Sequence, residues 1–412
     1  MKRNASLTLA VLLLAPLAEI SAANSGNPLT ADARAATASV NQNGFDTAAA
    51  IPLRSHLYRG NDFCVSLTGS AIGGPAGTAP YEVLFDTGSW TTSLPYGILD
   101  KTKITVLEKN IKDGWGHLAD KVKGQLILTS RDGRAKYAMD DYVFFALKKP
   151  DGSDAPDDRK SKWSSAILGA FPSATPWGQK LPSLPYALAQ KYSPPNEVGL
   201  GIITEAGTDI ASDWGSCKAY LKLGNDPQLS ARLNWRNDVP LFRGRTGFVP
   251  EAVPGFTVRF SFPKVNGQTA ADIVVTNLIA TIDTGAPELN LRLGSSDPHR
   301  QAAYQPFFTD QGPGWMNAKY KAASRCAASG VAVRVGFTGS SGRSSSYQFT
   351  TGAFGSSKAP THVIAGDWAG NVPWAVGDDK PKNRISLGNT IYFFCPVYFW
   401  DITHKRVGIY FK

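Results

Sequence analysis

Val83-Leu84-Phe85-Asp86-Thr87-Gly88-Ser89 and Ile279-Ala280-Thr281-Ile282-Asp283-Thr284-Gly285-Ala286 carry one pattern twice: an apolar, β-prone run ending in Asp-Thr-Gly. Each copy is answered further along by an apolar segment closing on glycine. These are Ala166-Ile167-Leu168-Gly169 in the first half and Ile385-Ser386-Leu387-Gly388 in the second. The aspartates stand 197 residues apart, so each half of the chain holds one copy of both elements. A single Asp-Thr-Gly is weak evidence, because such a tripeptide marks many polar turns after strands. Two copies in the same order, each after an apolar run, point to a duplicated unit.

The chemistry such a unit offers follows from its residue types. A carboxylate on a tight turn at the end of a buried strand is held rigidly. Glycine at the third position lets backbone approach it closely, and the threonine hydroxyl can tie the turn down. If the two turns face each other, Asp86 and Asp283 come too close for both to ionise and share one proton. One carboxyl then takes a proton from water while its partner gives one to a substrate carbonyl, which is general acid–base catalysis.

Outward from these motifs the chain reads as β-rich. Apolar or alternating runs at 63–67, 81–85, 125–129, 142–147, 220–223, 256–262, 272–282, 331–337 and 391–398 are separated by turn residues such as Arg131-Asp132-Gly133-Arg134 and Asn266-Gly267. The best helix is a short one over 184–191, after Pro182, and the polar segments 150–162 and 339–347 read as surface loops. The 412 residues, 42% hydrophobic and 18% charged, allow two large lobes and exclude a chain disordered throughout.

Residues 1–23 read as a secretory signal: Lys2 and Arg3, an apolar stretch over 7–18, then Ser21, Ala22 and Ala23. That stretch is too short to span a bilayer as a helix, and no stable membrane anchor is expected. Export to a periplasmic or extracellular compartment is expected. Residues 24–56 read as a linker or vestigial pro-segment, 57–228 as an N-terminal lobe and 229–412 as a C-terminal lobe. The four cysteines form no CxxC pair, which argues against zinc. Two disulfides, Cys64–Cys217 and Cys326–Cys395, are the preferred arrangement, with four buried thiols as the alternative. The net charge of +10 comes from scattered lysines and arginines with no basic stripe, so nucleic-acid binding is not expected. The five histidines lack HExxH spacing, and no G-x-S-x-G elbow, Walker loop or G-x-G-x-x-G occurs. No metal or cofactor is called for.

The duplicated Asp-Thr-Gly and apolar-apolar-Gly elements resemble those of the pepsin-like aspartic proteases. Residues 386–390 and the closing stretch through Phe399-Trp400-Asp401 to Val407-Gly408-Ile409 are similar to that family's last strands. The resemblance covers roughly residues 57–412. It implies an all-β, bilobal acid protease fold with two related β-barrel-like lobes and a few short helices. It further implies a monomer that takes a polypeptide substrate in the interlobe cleft, with Asp86 and Asp283 catalytic. Thr87, Gly88, Ser89, Thr284 and Gly285 would support that pair.

Three features depart from the family pattern. A hydroxyl residue usually follows each Asp-Thr-Gly; Ser89 supplies one and Ala286 does not, so a weakly acidic optimum is expected. The covering hairpin usually offers a tyrosine paired with a tryptophan that lies shortly after the first catalytic turn. Here the latter position is Ser93, with Trp90 nearby, and the candidate hairpin upstream of Gly124 holds Trp115, Gly116 and His117. Trp115 and His117 are therefore the candidates for covering substrate. The stretch 24–50 holds one basic residue, Arg34, where family pro-segments use a lysine. The rival function is a weak or inactive binding or inhibitor protein on the same scaffold, with a protein or carbohydrate ligand.

Overall fold

The computed structural model describes residues 45–56, 62–73, 80–89, 91–156, 166–170, 181–204, 218–237, 239, 253–261, 272–285, 289–292, 308–309, 324–327, 330–350, 363–366, 383–388 and 397–410. The protein is mostly β, as expected. The first half supplies β1 (Ile51–His56), β2 (Asp62–Leu67), β3 (Tyr81–Asp86), β4 (Ser93–Pro95), β5 (Thr105–Lys112), β6 (Leu118–Thr129), β7 (Lys136–Leu147) and β8 (Ile167–Gly169). Helix α1 (Leu184–Tyr192), β9 (Gly199–Thr204), β10 (Lys218–Leu223), helix α2 (Pro227–Arg232) and β11 (Asn234–Arg236) follow. The second half holds β12 (Val253–Ser261), β13 (Ile273–Thr281), β14 (Leu289–Arg292), β15 (Phe308–Thr309), β16 (Ser324–Ala327), β17 (Ala332–Thr338), β18 (Ser344–Thr350), β19 (Val363–Gly366) and β20 (Arg384–Ser386). β21 (Val397–Asp401) and β22 (Arg406–Tyr410) come last.

These strands make two sheets, one of thirteen strands and one of nine. Neither closes on itself among the described residues, so the barrel-like lobes expected from the sequence are instead open, twisted sheets. The duplication is nonetheless written into the topology. One run is ordered β2-β3-β8-β4-β7-β6-β5 and the other β12-β13-β20-β14-β19-β16-β15. The sense of every pairing agrees between them, including the two parallel pairs β3–β8 and β4–β7 against β13–β20 and β14–β19. Even the register repeats. Leu84 lies opposite Ile167 and Thr281 opposite Ser386, each two residues before its aspartate or its glycine.

Alternation explains the long strands. β6 turns Val122, Leu126 and Leu128 inward, and a bulge beyond Gly124 bends it so that Ile127 bridges Thr68 past the end of β2. A β-carbon on Gly124 would lie 2.9 Å from that of Ala71, so only glycine fits the bend without a shift. Helix α1 starts where Ser183 caps it, its hydroxyl accepting from the Tyr186 amide at 3.3 Å, and buries Leu184, Tyr186 and Leu188 against the first sheet. One apolar core runs through both halves.

Several expectations need correction. Residues 51–56, assigned above to a linker, form β1. Ile51 and Leu53 point into the core, and the strand is paired on both sides, with β2 and β10. Phe45 is buried too, edge-on to Tyr410. The polar stretch 339–347 is a loop only as far as Arg343. From Ser344 the chain is strand, because Tyr347 and Phe349 alternate inward and β17 pairs with it from Ser344 to Thr350. Strands β21 and β22 belong to the C-terminal half in sequence but complete the thirteen-stranded sheet, with β21 pairing β9 and β22 pairing β11. Cys64 is buried on β2. Cys217, Cys395 and the side chain of Cys326 lie outside the described residues, and so do the signal segment, residues 24–44, Trp90, Ala286 and the Asn266-Gly267 turn.

Candidate active site

β3 delivers Asp86 at its last residue, and the end of β13 delivers Asp283 two residues on. Each strand is locked by its short parallel neighbour. Asp86 pairs with Gly169 and its carbonyl accepts from the Ala170 amide at 2.8 Å, while Leu387 N donates to Thr281 O at 3.0 Å. The two turns meet through a reciprocal set of hydrogen bonds. Thr87 N donates to Thr284 Oγ1 at 2.9 Å and Thr284 N donates to Thr87 Oγ1 at 3.0 Å. Thr87 Oγ1 in turn donates to Ile282 O at 2.9 Å, and Thr284 Oγ1 to Phe85 O at 2.6 Å. Both threonines are buried, and each hydroxyl gives one hydrogen bond and takes one.

This clasp sets the carboxylates against each other. A β-carbon on Gly88 would stand 2.5 Å from Cγ of Asp283, and one on Gly285 would stand 2.5 Å from Cγ of Asp86. Each aspartate thus fills the space that any side chain on the opposite turn would need. Asp86 is buried and Asp283 half-buried. Asp86 Oδ1 accepts from the Gly88 amide at 2.8 Å, and its Oδ2 takes a short hydrogen bond from Ser89 Oγ. Asp283 Oδ1 accepts from the Gly285 amide at 3.0 Å. Of the residues singled out in the sequence, these seven come together.

No protein-family model matches the chain, and no curated protein matches it. The chemistry of the site follows from its geometry alone. Two carboxyls are held against each other's turns in a buried, rigid frame. Among the described residues, no three histidine, cysteine, aspartate or glutamate side chains are grouped to hold a metal ion, and no helix is long and apolar enough to cross a membrane.

Trp115 and His117 lie at the turn of the β5–β6 hairpin, outside the contacts of the aspartate pair. Trp115 is 53% exposed, and His117 holds Asp113 through its ring, Nδ1 to Oδ2 at 3.2 Å. Asp113 itself is buried and accepts from Ser93 Oγ at 3.0 Å. The sequence reading missed Asp113, although Asp113-Gly114 is an ordinary turn signal. The same end of the hairpin holds a second buried aspartate, Asp120, near the start of β6. It accepts from Tyr96 Oη at 2.8 Å and from the Asn110 amide at 2.8 Å, and pairs with Lys148 at 3.0 Å.

Burial opposes ionisation of Asp120, but the hydrogen bonds from Asn110, Lys148 and Tyr96 outweigh it and hold its carboxyl below the usual carboxylate range. Burial, reinforced by the Asp120 charge, pushes the Tyr96 phenol up. A carboxyl depressed on folding stabilises the protein above its unfolded value, about pH 3.9, and loses that contribution as pH falls through the folded value. Asp120→Asn is therefore expected to lower Tm by roughly 1–4 °C at pH 6. The gap should narrow in melts taken at a lower pH, as the Asp120 carboxyl protonates below its unfolded value. An equal gap at both pH values would refute the assignment.

Proposed function

We propose that this protein is an exported, pepsin-like aspartic endopeptidase, bilobal in plan, that hydrolyses peptide bonds at weakly acidic pH. The observation that carries the reading is the reciprocal Thr87–Thr284 clasp with each aspartate seated against the opposite glycine. The repeated strand order supports it, since a duplicated frame is what brings two equivalent carboxyls face to face. Of the pair, Asp86 is better suited to carry the negative charge. It accepts from two donors, Gly88 N and Ser89 Oγ, which favour its charged form.

A water held between the carboxyls attacks the scissile carbonyl carbon. Its proton passes to the Asp86 carboxylate while the Asp283 carboxyl gives its proton to the carbonyl oxygen, leaving a tetrahedral diol. Collapse of that diol breaks the C–N bond. The proton on Asp86 goes to the leaving nitrogen, and a diol hydroxyl returns its proton to Asp283. The pair ends as it began, with no covalent intermediate. Substrate lies extended between the halves, under the β5–β6 hairpin with Trp115 at its turn.

The test is cleavage of an unfolded protein across about pH 3 to 6, with and without a statine-containing peptide that mimics the diol. Cleavage with a maximum near about pH 5, blocked by the statine peptide, is expected. An inert protein, or cleavage that survives Asp86→Ala, would reject the assignment. A maximum below about pH 3 would reject the weakly acidic placement.

A further inference from the structure

β5 is exposed at every residue but Ile111, and it pairs only with β6 among the described residues. A strand so exposed would be expected to be followed by a turn that keeps its charges in water. Yet the carboxylate in its turn, Asp113, has no exposed side-chain area at all. Burying a carboxylate is costly unless its oxygens are filled with donors. Oδ1 takes the amides of Trp115 at 2.9 Å and His117 at 2.8 Å, which shape the turn. Oδ2 takes the His117 ring and, from a different element, the hydroxyl of Ser93 at the start of β4. Turn geometry accounts for the first oxygen. It does not account for the second, which reaches out of the hairpin.

Where that reach ends matters. Ser93 follows Ser89, whose hydroxyl touches Asp86, by four residues, which limits the Cα separation to about 14 Å even in extended chain. Ser93 also pairs with Ile167 on β8, the strand that locks β3. The turn is thus tied to the same small group of strands that fixes the catalytic aspartate.

We propose that Asp113 is a positioning residue: through Ser93 it holds the β5–β6 turn, and with it Trp115, over the Asp86–Asp283 pair. The inference rests on the peptidase reading above and gives the hairpin a polar tie where the resembled family uses an aromatic pair.

Ser93→Ala, Asp113→Asn and the double variant test it, read by hydrogen exchange of the amides from 114 to 118 and by kinetics on a peptide spanning the cleft. Ser93→Ala leaves the turn's own hydrogen bonds in place. It is expected to speed exchange there by about tenfold and raise KM by a similar factor, with kcat within about twofold of wild type. Affinity for the statine peptide should fall in step with KM, and the double variant should be no worse than Asp113→Asn. Unchanged exchange in Ser93→Ala overturns the tie. Faster exchange with unaltered KM and statine affinity leaves a structural tie and overturns the positioning role. A wild-type protein that neither cleaves nor binds statine overturns the peptidase reading and the positioning role together, while the exchange comparison still decides whether the tie exists.

Discussion

Asp86→Asn is expected to cut kcat/KM on any cleaved peptide by about 10³- to 10⁴-fold while leaving the fold intact. Asparagine keeps the shape of the side chain, and its carbonyl oxygen can still accept from the Gly88 amide. What it cannot do is take a proton from water, because an amide is far too weak a base. The stability readout should not fall with it. Asparagine also removes one of two acids packed against each other's turns, so no loss of stability is expected. A melting temperature at pH 7 equal to or above wild type, combined with lost turnover, is the expected pair of results. Retained turnover would mean that Asp86 is not the base.

Thr284→Val is expected to damage both stability and catalysis. Valine matches threonine in volume but has no hydroxyl, so two bonds disappear: the one Thr284 Oγ1 donates to Phe85 O and the one it accepts from Thr87 N. Both orphaned backbone groups are buried at the junction of the halves. At about 1–3 kcal/mol for each unsatisfied group, the loss is roughly 2–6 kcal/mol, or roughly 2–7 °C in Tm for a chain of this length. The turns would also lose their alignment, and a displacement of about 1 Å at reacting groups costs on the order of 10²-fold in rate. Thr284→Ser retains the hydroxyl and should stay close to wild type in rate, which separates loss of the hydrogen bonds from loss of volume. A valine variant with wild-type Tm would show that the clasp carries no load.

The parts of this architecture that were legible in the sequence were those repeated in it. Apolar runs ending in Asp-Thr-Gly, and apolar runs ending in glycine, identified β3, β13, β8 and β20 because buried strands and tight turns restrict residue choice strongly. The seven residues of the two turns assembled for the same reason. Exposed and partner-dependent strands were harder to read. β5 carries Glu108, Lys109 and Lys112 with almost no buried face, so there is no alternation to detect. Ser344, Ser345 and Ser346 have weak strand character by themselves and take it from β17. Asp113 was missed because it sits in an ordinary turn sequence, and its contact with Ser93 arises only on folding. The pairing of β21 with β9 joins residues too distant in sequence for any local pattern to foretell.

That pairing has a consequence for how the protein is made. β9 is translated about 190 residues before β21, an interval of roughly 10–40 s at ordinary rates of synthesis. Throughout it, one flank of a six-residue, fully buried and strongly apolar strand has nothing to bond to. A nascent N-terminal half is therefore expected to expose an unpaired strand edge until the last segment arrives.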